Sequence, residues 1–291
     1  MSYPIKKITI EDALFPSSLK NIKNPPQELY YCGKILPTEN CLAIVGARLC
    51  SKYGQECSLE IGSALSMAGL TIVAGLARGI DYYAHLSALK NKKRTIAVLG
   101  TAIDNIYPKE NLKLAQEILK NEGLIISEYA PGTITAKYCF VERNRLIAGL
   151  SLGVLVIEAR EKSGSLITAN YAKEQNKKIF AVPNNIHSPL SRGCHNLIKN
   201  GANLIENAND VLGLLGFNNL PNSPKNGKPY ADCNPEEIKI LEILSENPLN
   251  IEAIIRTTGW PANKITSLLS ILEIKNKIID LGDKTYCLVR N

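Results

Sequence analysis

Residues 42 to 216 repeat one alternation: a short continuous apolar run, then a longer amphipathic stretch. The runs read LAIVG (42–46), TIVAG (71–75), TIAVLG (95–100), LIISEY (124–129), GVLVIEA (153–159) and KIFAVP (178–183), with a weaker NLI at 203–205. Strands that are apolar without interruption are covered on both faces, unlike the alternating strands of a half-exposed sheet. Between them lie helical patterns such as YGQECSLEIGSALSMAG and PKENLKLAQEILKN, where Pro108 suits a first helical turn. Strands separated by helices require right-handed crossovers. The prediction is an α/β fold: a Rossmann-like, doubly wound, mainly parallel sheet over residues 42–216, preceded by an N-terminal extension, residues 1–41.

The pattern then changes. Residues 217–231, FNNLPNSPKNGKPYA, are rich in proline and asparagine and read as a linker. Asn234 is a natural cap for a helix opened by Pro235, Glu236 and Glu237, with Ile238, Leu241 and Leu244 as its core face. A second helix stops at Gly259, and a third carries Ile265, Leu268, Leu269 and Leu272. KIIDLGDKTYCLV adds two β-rich runs around a Gly-Asp turn. Three helices and a terminal hairpin in residues 232–291 describe a small C-terminal winged helix.

The 291 residues are 45% hydrophobic, ample for a packed core. No apolar run approaches the ~18 residues of a membrane span, and the N-terminus lacks a signal-type core. A cytoplasmic protein with no membrane association is expected. The eight cysteines form no C-x-x-C pair and the three histidines fall at no zinc spacing, so free thiols and no metal are expected. The net charge of +7 is unevenly placed: residues 232–291 hold seven Lys/Arg and nine Asp/Glu, leaving 27 basic and 18 acidic residues in 1–231. The larger segment therefore carries the field that attracts a polyanion.

In doubly wound sheets ligands gather beyond the carboxyl ends of the strands, at the point where strand order reverses. After the first run come Gly46, Ala47 and Arg48, then Ser51 at a helix start, where free N–H groups suit an anion. After the second comes GLARGID. Gly75 and Gly79 permit a tight turn, and Arg78 supplies a planar fork matched to phosphate oxygens; an exposed arginine in a plain strand–helix turn is the alternative for both Arg48 and Arg78. After the fourth runs what reads as a long loop, 130–145, with Lys137, Phe140, Arg143 and Arg145. Cations around a ring suit single-stranded nucleic acid, phosphates on the charges and a base on the ring. Phe140 reads equally as a core residue, and the two arginines equally as loop-holding groups. After the fifth, Lys162, Ser163, Gly164, Ser165 and Thr168 open a helix, a further anion site.

What is missing also decides. There is no P-loop, no G-x-G-x-x-G with its acidic partner, and no paired carboxylates or nucleophile beside a histidine. No catalytic residue and no cofactor are expected; the pattern favours a surface that binds a run of phosphates.

Several of these stretches, in order, resemble the DNA-processing protein A family (DprA/Smf): IVGAR (44–48), GLARGIDYYAH (75–85), TIAVLGTAIDNIYPKEN (95–111), SEY (127–129), FVERNRLIAGLS (140–151), SGSLITA (163–169) and FAVP (180–183). The resemblance spans about residues 10–216, and the winged helix matches an appendage of some members. It implies a protein that is not an enzyme. Such a protein binds and protects single-stranded DNA entering during natural transformation, loads the RecA recombinase while relieving single-strand-binding protein, and forms a homodimer through the Rossmann-like domain. By the same resemblance Arg48, Lys137 and Phe140 occupy strand-binding positions, and Gly75, Arg78 and Gly79 line the same pocket. Ala74 replaces a usual serine and Ala47 a usual small polar residue. The stretch before residue 42 is too short for the helical N-terminal domain of some members. Two other functions compete. A nucleotide-processing hydrolase of the lysine-decarboxylase-like group would carry P-G-G-x-G-T where this chain has SGSLITA. A winged-helix transcription regulator would need a basic third helix, and 261–278 offer only Lys264 in the first turns.

Overall fold

The computed structural model describes residues 4–217, 233–246, 248–275 and 277–288. The chain divides into two compact units, Met1–Pro224 and Lys225–Asn291. The first begins with β1 (Lys6–Thr9), α1 (Ser17–Lys20) and β2 (Glu28–Gly33). The alternation follows as β3 (Cys41–Val45), α2 (Lys52–Met67), β4 (Thr71–Ala74), α3 (Ile80–Lys90), β5 (Thr95–Val98) and α4 (Leu112–Lys120). It continues through β6 (Leu124–Ser127), α5 (Lys137–Leu150), β7 (Gly153–Val156), α6 (Gly164–Glu174), β8 (Lys178–Ala181), α7 (Arg192–Lys199), β9 (Asn203–Leu204) and α8 (Ala208–Leu215). A short 3-10 turn, Lys109–Asn111, separates Pro108 from α4.

The described strands of this unit form one nine-stranded sheet, ordered β1-β2-β6-β5-β4-β3-β7-β8-β9. From β3 the chain steps outward through β4, β5 and β6, then returns to the other side of β3 with β7, β8 and β9. All these pairings are parallel. The reversal of order therefore lies between β3 and β7. Neighbouring residues of one strand enter different cores: Ala43 and Val45 pack with α5 and α6 residues such as Leu146 and Ala169. Leu42 and Ile44 pack with Ile61, Leu65 and Ala84 of α2 and α3. That double burial is why the runs are unbroken.

The structure departs from the sequence reading in two places. The N-terminal extension is not separate from the sheet: β2 pairs antiparallel with β6 and β1 with β2. Phe15, Leu19, Leu29 and Tyr31 lie in the same core as Val156. And 130–145 is a loop only as far as Ala136. Lys137 opens α5, so Lys137, Phe140, Arg143 and Arg145 are helical neighbours.

In the second unit α9 (Pro235–Glu246), β10 (Leu249–Asn250), α10 (Ile251–Thr258) and α11 (Ala262–Ile274) precede the hairpin of β11 (Ile278–Asp280) and β12 (Thr285–Leu288). The strands are ordered β10-β12-β11, a winged helix. Asn234 Oδ1 accepts the amides of Glu236 (3.0 Å) and Glu237 (2.8 Å), and the Glu237 carboxylate accepts the Asn234 amide (2.8 Å), a reciprocal cap. Ile240, Leu241, Leu244, Ile265, Leu269 and Leu272 form its core. Of the expected linker, residues 218–231 lie outside the described residues. Among the described residues no helix is long and apolar enough to cross a membrane. None of the described His, Cys, Asp and Glu side chains is grouped to hold a metal ion.

Candidate nucleic-acid interface

Three strand ends converge at the reversal point: residues after β3, after β4 and after β7. Gly79 has φ +69, and a Cβ there would run into the carbonyl oxygens of Ala47 and, at 2.6 Å, Arg48. Only glycine lets the turn after β4 lie against the turn after β3, where the Ile80 amide donates to Ala47 O (3.1 Å). Gly75 serves a second close approach, because a Cβ there would sit 2.7 Å from Arg143 Cζ. Gly75 and Gly79, read from the sequence as turn glycines, are thus also packing glycines.

On this base stand the side chains that reach solvent. Arg48 and Lys137 are exposed and Phe140 is half-buried. The Arg48 guanidinium lies 5.9 Å from the centroid of the Phe140 ring. Tyr107, 52% exposed, meets the same ring edge-on at 5.6 Å and 62°. The ring stands where it does because residue 100 is glycine; a Cβ there would lie 2.8 Å from Phe140 Cδ1. Two hollows flank Phe140, and Arg48, Ala77 and Arg143 line both. One, of about 240 Å³, reaches Gly46 and the Ser163–Gly164–Ser165 turn. The other, of about 260 Å³, reaches Leu49, Arg78, Tyr107 and Pro108.

The remaining cations are placed differently. Arg78 is exposed but its Nε and Nη2 are engaged by the two oxygens of Glu110, Nη2 at 2.7 Å. Arg143 is only 5% exposed. It donates to Gly75 O (2.9 Å) and to Val98 O at the ends of β4 and β5. Nearby Asp81 accepts the amides of Gly75 (2.9 Å) and Ala77 (3.3 Å). Burial pushes the Asp81 carboxyl above the usual carboxylate range, with Arg143 pulling the other way. Burial likewise pushes Arg143 down to about 10 against the attraction of Asp81. Arg145 pairs with Glu128, both largely buried. Arg48, Lys137 and Arg78 thus face outward, while Arg143 and Arg145 brace α5 against the sheet.

The two helix starts also differ. At α2 the Ser51 amide already donates to the Glu158 carboxylate (2.8 Å), so the anion seat expected there is filled from within. At α6 the Ser163 hydroxyl caps the helix, bonding the Ser165 amide (3.4 Å) and lying 2.8 Å from its hydroxyl. Gly164 is exposed with open space beside its α-carbon. The edge further includes Tyr107, Leu49 (81% exposed), Tyr138 (63%) and Ile134 (99%), none singled out from the sequence. Tyr107 had a readable signal, since it follows the β5 run just as Arg48 follows the β3 run.

A Rossmann-like α/β sheet with a basic, aromatic-bearing edge, together with a winged helix, is the class these features define. Residues 6–216 match the family model for DNA recombination-mediator protein A, and residues 224–284 match that for the DprA winged helix domain; the chain belongs to this family. The DNA processing protein DprA of Streptococcus pneumoniae is 44% identical over 72% of this chain and 74% of its own length. Its X-ray structure superposes with a TM-score of 0.68 at 43% identity, covering 73% of this chain and 74% of that one. The Helicobacter pylori DNA processing protein A, described for a unique single-stranded DNA binding mode, superposes with a TM-score of 0.66 at 32% identity, covering 74% and 96%.

Proposed function

We propose that this protein binds single-stranded DNA along the edge formed by Arg48, Arg78, Lys137 and Phe140, without catalysing a reaction on it. In this reading it works in the cytoplasm as a homodimer, protects the incoming strand during natural transformation, and loads the RecA recombinase as single-strand-binding protein is relieved. The observation that carries the reading is Phe140, a half-buried ring with Arg48 on one side, Tyr107 at its edge and Lys137 one turn away. A base can stack on such a ring while its neighbouring phosphates meet cations, and the arrangement is sequence-tolerant. Gly46 and Ser163–Gly164–Ser165 extend the path with backbone and hydroxyl donors. The Helicobacter pylori relative supports it by what it binds.

The test is fluorescence anisotropy with a single-stranded oligonucleotide and a duplex across salt concentrations. Three outward cations predict a slope of log affinity against log salt of about −2, at roughly 0.7 per contacted phosphate. Affinity that ignores salt, or that favours the duplex, overturns the reading.

A further inference from the structure

The end of β7 carries a residue that the proposed contact list does not use. Glu158 is 2% exposed. Its backbone adopts φ +83, a left-handed conformation that a side chain bearing a Cβ rarely takes. Strain of that kind persists only where the surroundings impose it. Here they are specific. The carboxylate accepts the Ser51 amide at 2.8 Å, the Ser51 hydroxyl at 2.5 Å and the Asn184 side-chain amide at 3.1 Å. Space for it exists because residue 54, in the first turn of α2, is glycine; a Cβ there would lie 2.6 Å from Glu158 Cδ.

In a doubly wound sheet the turn after the central strand and the helix start behind it form the usual phosphate seat. In this chain that turn is Gly46–Cys50 and that helix is α2. A carboxylate from the neighbouring strand occupies the seat. Its effect on the turn is mechanical. Ahead of Arg48, Ala47 O is held by the Ile80 amide (3.1 Å), and behind it Ser51 is held by Glu158. Arg48, Leu49 and Cys50 are the span between two anchors, and Arg48 is the cation against Phe140.

We propose that Glu158 is a positioning residue of the interface. It fills the anion seat at the start of α2 and, by anchoring Ser51, fixes the turn that presents Arg48 to a strand phosphate. This rests on the single-strand reading above. Glutamine in its place keeps the shape but leaves one acceptor oxygen for the three donors from Ser51 and Asn184, so the rear anchor is weakened.

The experiment measures single-strand anisotropy across salt for wild type, Glu158→Gln, Arg48→Ala and the double variant, each verified as folded by circular dichroism. Glu158→Gln is expected to lose about tenfold in affinity and to flatten the salt slope by about 0.7, one phosphate contact. In the Arg48→Ala background it is expected to add less than twofold. Stability loss alone would leave the slope per folded molecule unchanged. A folded Glu158→Gln with wild-type affinity and slope overturns the proposal, and so does an equal loss in the Arg48→Ala background. Should Glu158→Gln fail to fold, Ser51→Ala, which removes one of the three donors, decides: a two- to fivefold loss that vanishes with Arg48→Ala supports it, and no loss refutes it. If wild type itself does not bind single strands, the functional reading fails; if wild type binds and only the Glu158 results disagree, this inference alone fails.

Discussion

Arg143 gives the sharpest way to separate scaffold from ligand contact. Replacing it with methionine removes a guanidinium that is 5% exposed and leaves the Gly75 and Val98 carbonyls without that donor. It also deprives Asp81, 7% exposed, of the stronger of the two opposing charges that act on it, the other being Arg48. Arg143 and Asp81 are not in ion-pair contact, so the direct cost is that of leaving a buried carbonyl without its donor, about 1–3 kcal/mol for each of Gly75 and Val98. Burial shifts both groups toward their neutral forms, so the interior resists both charges despite their attraction. Asp81→Asn should therefore be destabilising alone, yet the double variant should be less damaged than the two losses added. A coupling of at least about 1 kcal/mol is expected for groups in one network. Urea denaturation of the four proteins measures this. Anisotropy at a temperature where each is folded measures binding per folded molecule, expected within about threefold of wild type for Arg143→Met. Wild-type stability combined with lost affinity would put the guanidinium on the strand and refute the argument.

Phe140→Ala should weaken single-strand binding by about 1–3 kcal/mol with the salt slope unchanged, whereas Lys137→Ala should flatten the slope by about 0.7; a flattened slope for Phe140→Ala would mean its effect runs through displaced cations. His85 is buried, its Nδ1 2.8 Å from a Thr95 hydroxyl that itself donates to Ile72 O, so Nδ1 must be the donor. Burial pushes its pKa down to about 3, hence the unfolded chain takes up a proton the folded chain refuses. The stability this contributes is present above about pH 6.5 and lost as pH falls, by up to about 1.4 kcal/mol per unit. Denaturation at pH 7 and pH 5 should show a smaller loss in His85→Asn, which keeps the Nδ1-like donor; an identical loss would refute it. Truncation before Lys225 should leave single-strand affinity within about twofold, because residues 232–291 carry two more acids than bases; a collapse in affinity by a folded, truncated protein would make the winged helix a DNA contact.

The parallel strands are legible because helices cover both of their faces, so their interior positions are apolar without alternation. β1 and β2 are not. KKIT opens on two exposed lysines and ELYYCG on a glutamate, and both strands are only partly buried, so neither forms a continuous apolar run. α5 was hidden for another reason: its cap, Ala136, makes no side-chain hydrogen bond, and Pro131 and Gly132 just before it read as loop. A helix with no start signal and a mostly exposed first half is set by the sheet it packs on.

That hidden helix is also why the sequence shows the cations without sorting them. Phe140 and Arg143 are one turn apart and so share a side of α5, which lies over the ends of β4 and β5. In a loop, three cations around a ring would all be free to meet phosphates. On a helix, the side that presents the ring also carries Arg143 down to the Gly75 and Val98 carbonyls. The guanidinium fills the space that Gly75 leaves by having no Cβ. Gly75 is therefore needed for a reason the turn sequence did not reveal: it admits the group that holds the helix that holds the ring. Side-chain charge marks where a strand of DNA would be attracted, but burial decides which charges remain for it. In this fold the phase of one helix sets which of the α5 cations are exposed.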